Sequence, residues 1–163
     1  MEINIAPRSI WSNPLHFLAF GLGSGASPYA PGTVGTAMAI PFYLLLRNFS
    51  LFTYCVILFL AIIVGFYLCE IATNAVKVHD HPGIVWDEFV GYWLTMIAAP
   101  PGFIWIIVGF ILFRIFDIWK PWPIHWVNQH VRNGIGIVLD DLMAGVLAWV
   151  VMRLLIWVAY QWW

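Results

Sequence analysis

Residues 51–69 read LFTYCVILFLAIIVGFYLC, a run without a single charged side chain. About 20 apolar residues carry a helix across the hydrocarbon of a bilayer, where every backbone N–H and C=O must find its partner inside the segment. A run of this kind therefore selects a helical membrane fold. Composition agrees: 63% of the chain is apolar, 18% is aromatic and only 9% is charged, against roughly half apolar in soluble domains. A net charge of −1 provides no basic field for a nucleic acid. Cys55 and Cys69 fall on one predicted helix, about 21 Å apart at 1.5 Å per residue, too far to bridge.

Further spans follow from the same pattern. TVGTAMAIPFYLLL (33–46) is shorter, carries Pro41, and ends at Arg47 and Asn48. Residues 84–119 are too long for one crossing, and Ala98-Ala99-Pro100-Pro101-Gly102 divides them into helices at 88–99 and 103–119. LMAGVLAWVVMRLLIWVAY (142–160) runs into Gln161-Trp162-Trp163, an aromatic belt at the interface. The expectation is one all-α domain over residues 1–163, a small polytopic bundle of about five membrane-embedded helices. The apolar patch 15–20 is too short for a secretory h-region. Threading the five spans brings 21–36, 70–88, 114–141 and the N-terminal tail to one side. That side holds Arg8, Lys77, Arg114, Lys120 and Arg132, against Arg47 and Arg153 towards the other. By the positive-inside rule the loaded side is cytoplasmic.

An ionisable group near the hydrocarbon costs about 2.5 to 3.5 kcal/mol and marks a functional site in search of a partner. Here the acids cluster in three stretches: Asp87 and Glu88 in GIVWDEFVG, Asp117 in FRIFDIWKPWPI, Asp140 and Asp141 in GIVLDDLMAG. Arg114 and Lys120 accompany them. Asp87, Glu88, Asp140 and Asp141 precede apolar helices, where a carboxylate also serves as an N-terminal cap. Asp117, near a predicted helix C-terminus, opposes the dipole, and pairing with Arg114 or Lys120 along the helix contributes only about 0.2 to 0.5 kcal/mol. A compensating charge from outside the helix is expected. Five acids against two bases leave a surplus of negative charge that a hard divalent cation, Mg²⁺ above all, would neutralise through oxygen ligands. No Cys/His spacing suits zinc.

Two other motifs carry chemistry. In VHDHPG, His79 and His81 flank Asp80, and could ligate metal, move protons, or be ordinary loop residues. In GLGSGASPYAPGTVGT (21–36), Gly32 and Thr33 are placed to cradle an oxyanion at a helix N-terminus. Gly32, Gly35, Thr36 and Ala39 equally make a small-residue face for close helix packing. The two readings are compatible.

Taken together, SPYAPGTVGT, VHDHPGIVWDE, FRIFDIWKPWPI and GIGIVLDDLMAG resemble the phosphatidylglycerophosphatase A family. The resemblance implies a Mg²⁺-dependent phosphatase of the bacterial inner membrane, multi-pass with its active face cytoplasmic, that converts phosphatidylglycerophosphate to phosphatidylglycerol. It implies Gly32, Thr33, Asp87, Glu88, Arg114, Asp117, Lys120, Asp140 and Asp141 as functional residues. On chemical grounds the five acids are assigned to one or two Mg²⁺ ions, Arg114 and Lys120 to the phosphate, and His79, Asp80 or metal-bound water to proton donation. The expected partners are the lipid substrate and membrane phospholipid. Two rivals remain at this point: a small transporter of ions or phosphate, and a non-catalytic assembly subunit.

Overall fold

The computed structural model describes residues 7–78, 81–131 and 133–161. His79, Asp80, Arg132, Trp162 and Trp163 lie outside the described residues. Those described form an all-helical fold of seven α-helices: α1 (Pro14–Ala19), α2 (Pro31–Leu46), α3 (Leu51–Val76), α4 (Trp86–Thr95), α5 (Phe103–Trp119), α6 (Ile124–His130) and α7 (Gly134–Gln161). Short 3₁₀ turns at Arg8–Trp11 and Gly21–Ala26 flank α1.

Among the described residues two helices, not five, are long and apolar enough to cross a membrane: α3 with 26 residues and α7 with 28, about 39 and 42 Å at 1.5 Å per residue. α2 has 16 residues, α5 has 17 and α4 only 10; at 1.5 Å per residue α4 spans about 15 Å. The reason lies in the ends. The segment expected to cross at 88–99 stops at Thr95, and Ala98 then adopts φ 53° before the prolines. α3 and α7 both outrun the expected 51–69 and 142–160. α3 begins where Ser50 caps it by accepting a hydrogen bond from Thr53 N–H, and ends at Lys77 in the left-handed region. α7 begins at Gly134 because Glu70 Oε2, from α3, accepts from the Gly134 N–H at 2.7 Å, and Asn133 Oδ1 accepts from Gly136 N–H at 3.0 Å.

The short α4 is the centre of the bundle, in contact with α2, α3, α5 and α7. It buries Phe89, Val90, Tyr92 and Trp93. Its neighbours are stitched to it by polar side chains that reach backbone carbonyls. Tyr54 Oη donates to Trp93 O at 2.6 Å, Trp93 Nε1 to Ala39 O at 3.0 Å, and Trp86 Nε1 to Ala61 O at 3.0 Å. Such bonds hold helices together where lipid offers no hydrophobic driving force between them. Against α7 the two backbones meet directly: a β-carbon on Gly145 would lie 2.5 Å from Gly91 O. Outward, Phe52, Phe59, Tyr67, Ile104, Leu154 and Trp157 are exposed, an apolar surface suited to lipid contact.

Candidate active site

Four segments meet at one end of the bundle around a cavity of about 420 Å³. The start of α2 brings Gly32 and Thr33, the first turn of α4 brings Asp87 and Glu88, the end of α5 brings Arg114, Asp117 and Lys120, and the second turn of α7 brings Asp140 and Asp141. These are the charged and glycine-loop residues singled out in the sequence. Only His79 and Asp80 cannot be placed, since they lie outside the described residues.

Local chain chemistry explains the convergence. The loop before α4 is tied to α1 by a hydrogen bond from Val85 N–H to Ala19 O at 3.0 Å, and the Val85 side chain packs where a β-carbon on Gly35 would lie. Gly35 therefore serves packing, while Gly32, one turn earlier, faces the cavity. Pro31 opens α2, and the first ladder bond there runs from Val34 N–H to Ala30 O. The amides of Gly32 and Thr33 precede that ladder and point out of the helix N-terminus. α5 closes at Lys120, which takes φ 44° ahead of Pro121.

Within the cavity the acids divide into two kinds. Asp87, Glu88 and Asp141 are buried and each offers a carboxylate oxygen within 4.8 Å of the others. Glu88 Oε2 and Asp141 Oδ2 have no hydrogen-bond partner among the described residues. Asp117 and Asp140 are instead engaged by bases. Nη1 of Arg114 lies 2.6 Å from Asp117 Oδ2 and 3.7 Å from Glu88 Oε1. Both are ionic contacts without hydrogen-bond alignment, and Arg114 Nε and Nη1 keep no aligned acceptor among the described residues. Lys120 Nζ pairs with Asp140 Oδ2, which also accepts from Asn128 Nδ2 at 2.8 Å.

Two expectations are corrected by this arrangement. Asp140 and Asp141 do not cap a helix: α7 begins at Gly134, so both sit inside it, 3% exposed. Asp117 does pair along its own helix, with Arg114, and it is Lys120 that reaches across to another helix. All five acids line the cavity; Asp87, Glu88 and Asp141 have oxygens in closest mutual reach, while Asp117 and Asp140 lie against Arg114 and Lys120. Asn128 is the residue sequence reasoning passed over, since nothing in IHWVNQH distinguishes it from a solvated helix face. His81 also resolves: it is buried, stacks obliquely on Phe20, and accepts the Gly83 N–H at Nδ1 over 3.1 Å. Burial pushes its imidazole below the ordinary value.

A divalent cation fits what is present. Three buried carboxylates in mutual reach, two with orphaned oxygens, repel one another unless a positive charge joins them. The donors are all oxygen, the set that suits Mg²⁺ or Ca²⁺ rather than zinc.

Comparison with known proteins adds the lineage. A phosphatidylglycerophosphatase A of Escherichia coli strain K12 is 48% identical over 138 residues, covering 84% of this chain and 80% of that protein. One from Haemophilus influenzae is 42% identical over 142 residues, covering 86% and 87%. A Bacteroides thetaiotaomicron protein with a provisional phosphatidylinositol-3-phosphatase name is 35% identical over 145 residues, covering 85% and 91%. No solved structure matches the chain. The family model for phosphatidylglycerophosphatase A matches residues 17–156. The chain belongs to the phosphatidylglycerophosphatase A family and is a phosphoric monoester hydrolase.

Proposed function

We propose that the protein is a Mg²⁺-dependent lipid phosphatase of the bacterial inner membrane that removes the terminal phosphate of phosphatidylglycerophosphate, its site opening at the cytoplasmic face. The observation that carries this reading is the trio Asp87, Glu88 and Asp141, with oxygens within 4.8 Å on the wall of a cavity that also holds Arg114 and Lys120. Membership of a phosphatase family removes the transporter and assembly-subunit rivals. The names of the Escherichia coli and Haemophilus influenzae relatives support the substrate assignment. The five helices expected to enter the membrane are retained in a coarser form: α3 and α7 are the helices that cross it, α4 packs against both, and α2 and α5 pack against α4.

Asp87, Glu88 and Asp141 would hold the ion, which when bound supplies charge neutralisation at phosphoryl oxygens and a lower pKa for coordinated water. Arg114, braced by Asp117 and Glu88, holds its guanidinium at the cavity wall for the phosphate, and Lys120 adds a second positive charge. The Gly32 and Thr33 amides provide neutral donors at the positive end of α2. Water attacks phosphorus as the bond to the glycerol oxygen breaks. One proton passes to a wall carboxylate, for which Asp117 is assigned because it stands outside the trio. A proton returns to the glycerol oxygen, giving phosphatidylglycerol and phosphate. His79 and Asp80 keep the sequence-based assignment for that donation.

The purified protein should release phosphate from phosphatidylglycerophosphate faster than from phosphatidic acid or phosphatidylinositol 3-phosphate. Preference for the inositol lipid would move the substrate assignment to that of the Bacteroides relative's name.

A further inference from the structure

The charged cavity adjoins an apolar recess on the flank of α5. Arg114 and Ile118 line the cavity, and the same two residues line this open recess of about 650 Å³ completed by Phe110, Ile111, Ile115 and Trp119. All six lie on α5, and 111, 115 and 118 share one face at helical spacing. Ile111 and Ile115 are each 49% exposed, and Ile118 and Trp119 are exposed further. Arg114 is the one charged member of this stripe. It stands at the junction between an oxygen-lined cavity and an apolar track that runs about 12 Å along α5 at 1.5 Å per residue.

A lipid phosphomonoester has this same division: a charged head and aliphatic chains joined at the glycerol. Resting on the phosphatase reading above, we infer that the Ile111–Ile115–Ile118 stripe carries an acyl chain of the substrate while Arg114 holds the head in the cavity. A second apolar pocket of about 220 Å³ lies between α6 and α7, lined by Leu139, Leu142 and Val146 among others, but it shares no residue with the cavity. Continuity favours α5. Bulk lipid is as apolar as these side chains, so the stripe has little driving force to extract a chain. It acts by shape, setting the angle at which a long-chain substrate delivers its phosphate to Arg114. Obstruction is therefore a sharper probe than truncation.

The experiment compares dioleoyl and dihexanoyl phosphatidylglycerophosphate with wild-type protein, Ile115→Trp and Val146→Trp in one detergent. Ile115→Trp should lower the ratio of kcat/KM for the dioleoyl substrate to that for the dihexanoyl substrate about tenfold, the scale on which a misfitted apolar pocket discriminates. Equal loss on both substrates, no loss on either, or a selective loss in Val146→Trp would overturn the inference. Wild-type protein inactive on both lipids would instead refute the phosphatase reading and the inference with it. A long-chain substrate carrying a mid-chain diazirine gives a second readout on unaltered protein. Its crosslinks should map to 110–119, and crosslinks confined to α3 or α7 would contradict the proposed track.

Discussion

A β-carbon on Gly32 would lie 2.3 Å from Oε1 of Glu88 and 3.1 Å from Nη2 of Arg114. The backbone of α2 thus sits directly against an acid of α4 and a base of α5, and three helices are registered at one point. Absence of a side chain at residue 32 is what lets the carboxylate trio and the guanidinium share a cavity.

Gly32→Ala should therefore spare the fold and damage the reaction. The colliding atoms are the free ends of Glu88 and Arg114, which can swing away, and alanine favours a helix over glycine by about 1 kcal/mol. A displacement near 1 Å at a catalytic group lowers turnover by about 100-fold. Paired kinetics and thermal unfolding should show kcat/KM falling on that scale with an unchanged or raised melting temperature. Wild-type kinetics would mean that Gly32 serves packing alone.

Asp141→Asn should change stability in opposite directions with and without metal. Three buried carboxylates in mutual reach destabilise the metal-free protein, so removing one charge should raise its melting temperature. Added Mg²⁺ should stabilise the wild type, by about 2.7 kcal/mol at one hundred times its dissociation constant. The variant should gain little. Equal Mg²⁺ responses in the two proteins would place the ion elsewhere.

His81 gives the structure a pH dependence of defined sign. Its folded-state pKa lies below the ordinary value because burial disfavours the imidazolium, and protonation would also remove the acceptor of Gly83 N–H. The unfolded chain therefore binds more protons below about pH 6.5. Stability from this group is complete above that pH and declines as pH falls through it. Melting temperatures measured between pH 8 and pH 5 should drop less in His81→Asn, which can still accept from the Gly83 amide. Parallel curves would assign the pH dependence to other groups.

Gly145→Ala should destabilise the bundle without touching the cavity. The added carbon meets a main-chain oxygen, Gly91 O, at 2.5 Å, and overpacking against backbone costs about 1 to 3 kcal/mol. A melting temperature equal to wild type would show that α4 and α7 can separate freely.

Sequence alone brought the residues of the cavity together but not their pairings. Charge scarcity exposed Asp87, Glu88, Arg114, Asp117, Lys120, Asp140 and Asp141, because each ionisable group in so apolar a chain stands out. Which acid belongs to which base depends on rotation about α5 and α7. Those angles follow from contacts such as Gly91 against Gly145, distant in sequence. The start of α7 was illegible for a related reason: glycines at 134 and 136 read as loop, and the side chain that caps them, Glu70, lies 64 residues away. Helix existence survived better than helix length. Pro41 sits inside α2 without ending it, whereas α4 ends five residues before the prolines that were expected to close it.

Metal dependence is tested most directly by a Mg²⁺ titration of phosphate release from phosphatidylglycerophosphate by purified protein first treated with a chelator. Release should stop on chelation, return with Mg²⁺ in the wild type, and fail to return in Glu88→Gln or Asp141→Asn. Undiminished release in excess chelator, or full Mg²⁺ rescue of both variants, would contradict a metal held by Asp87, Glu88 and Asp141.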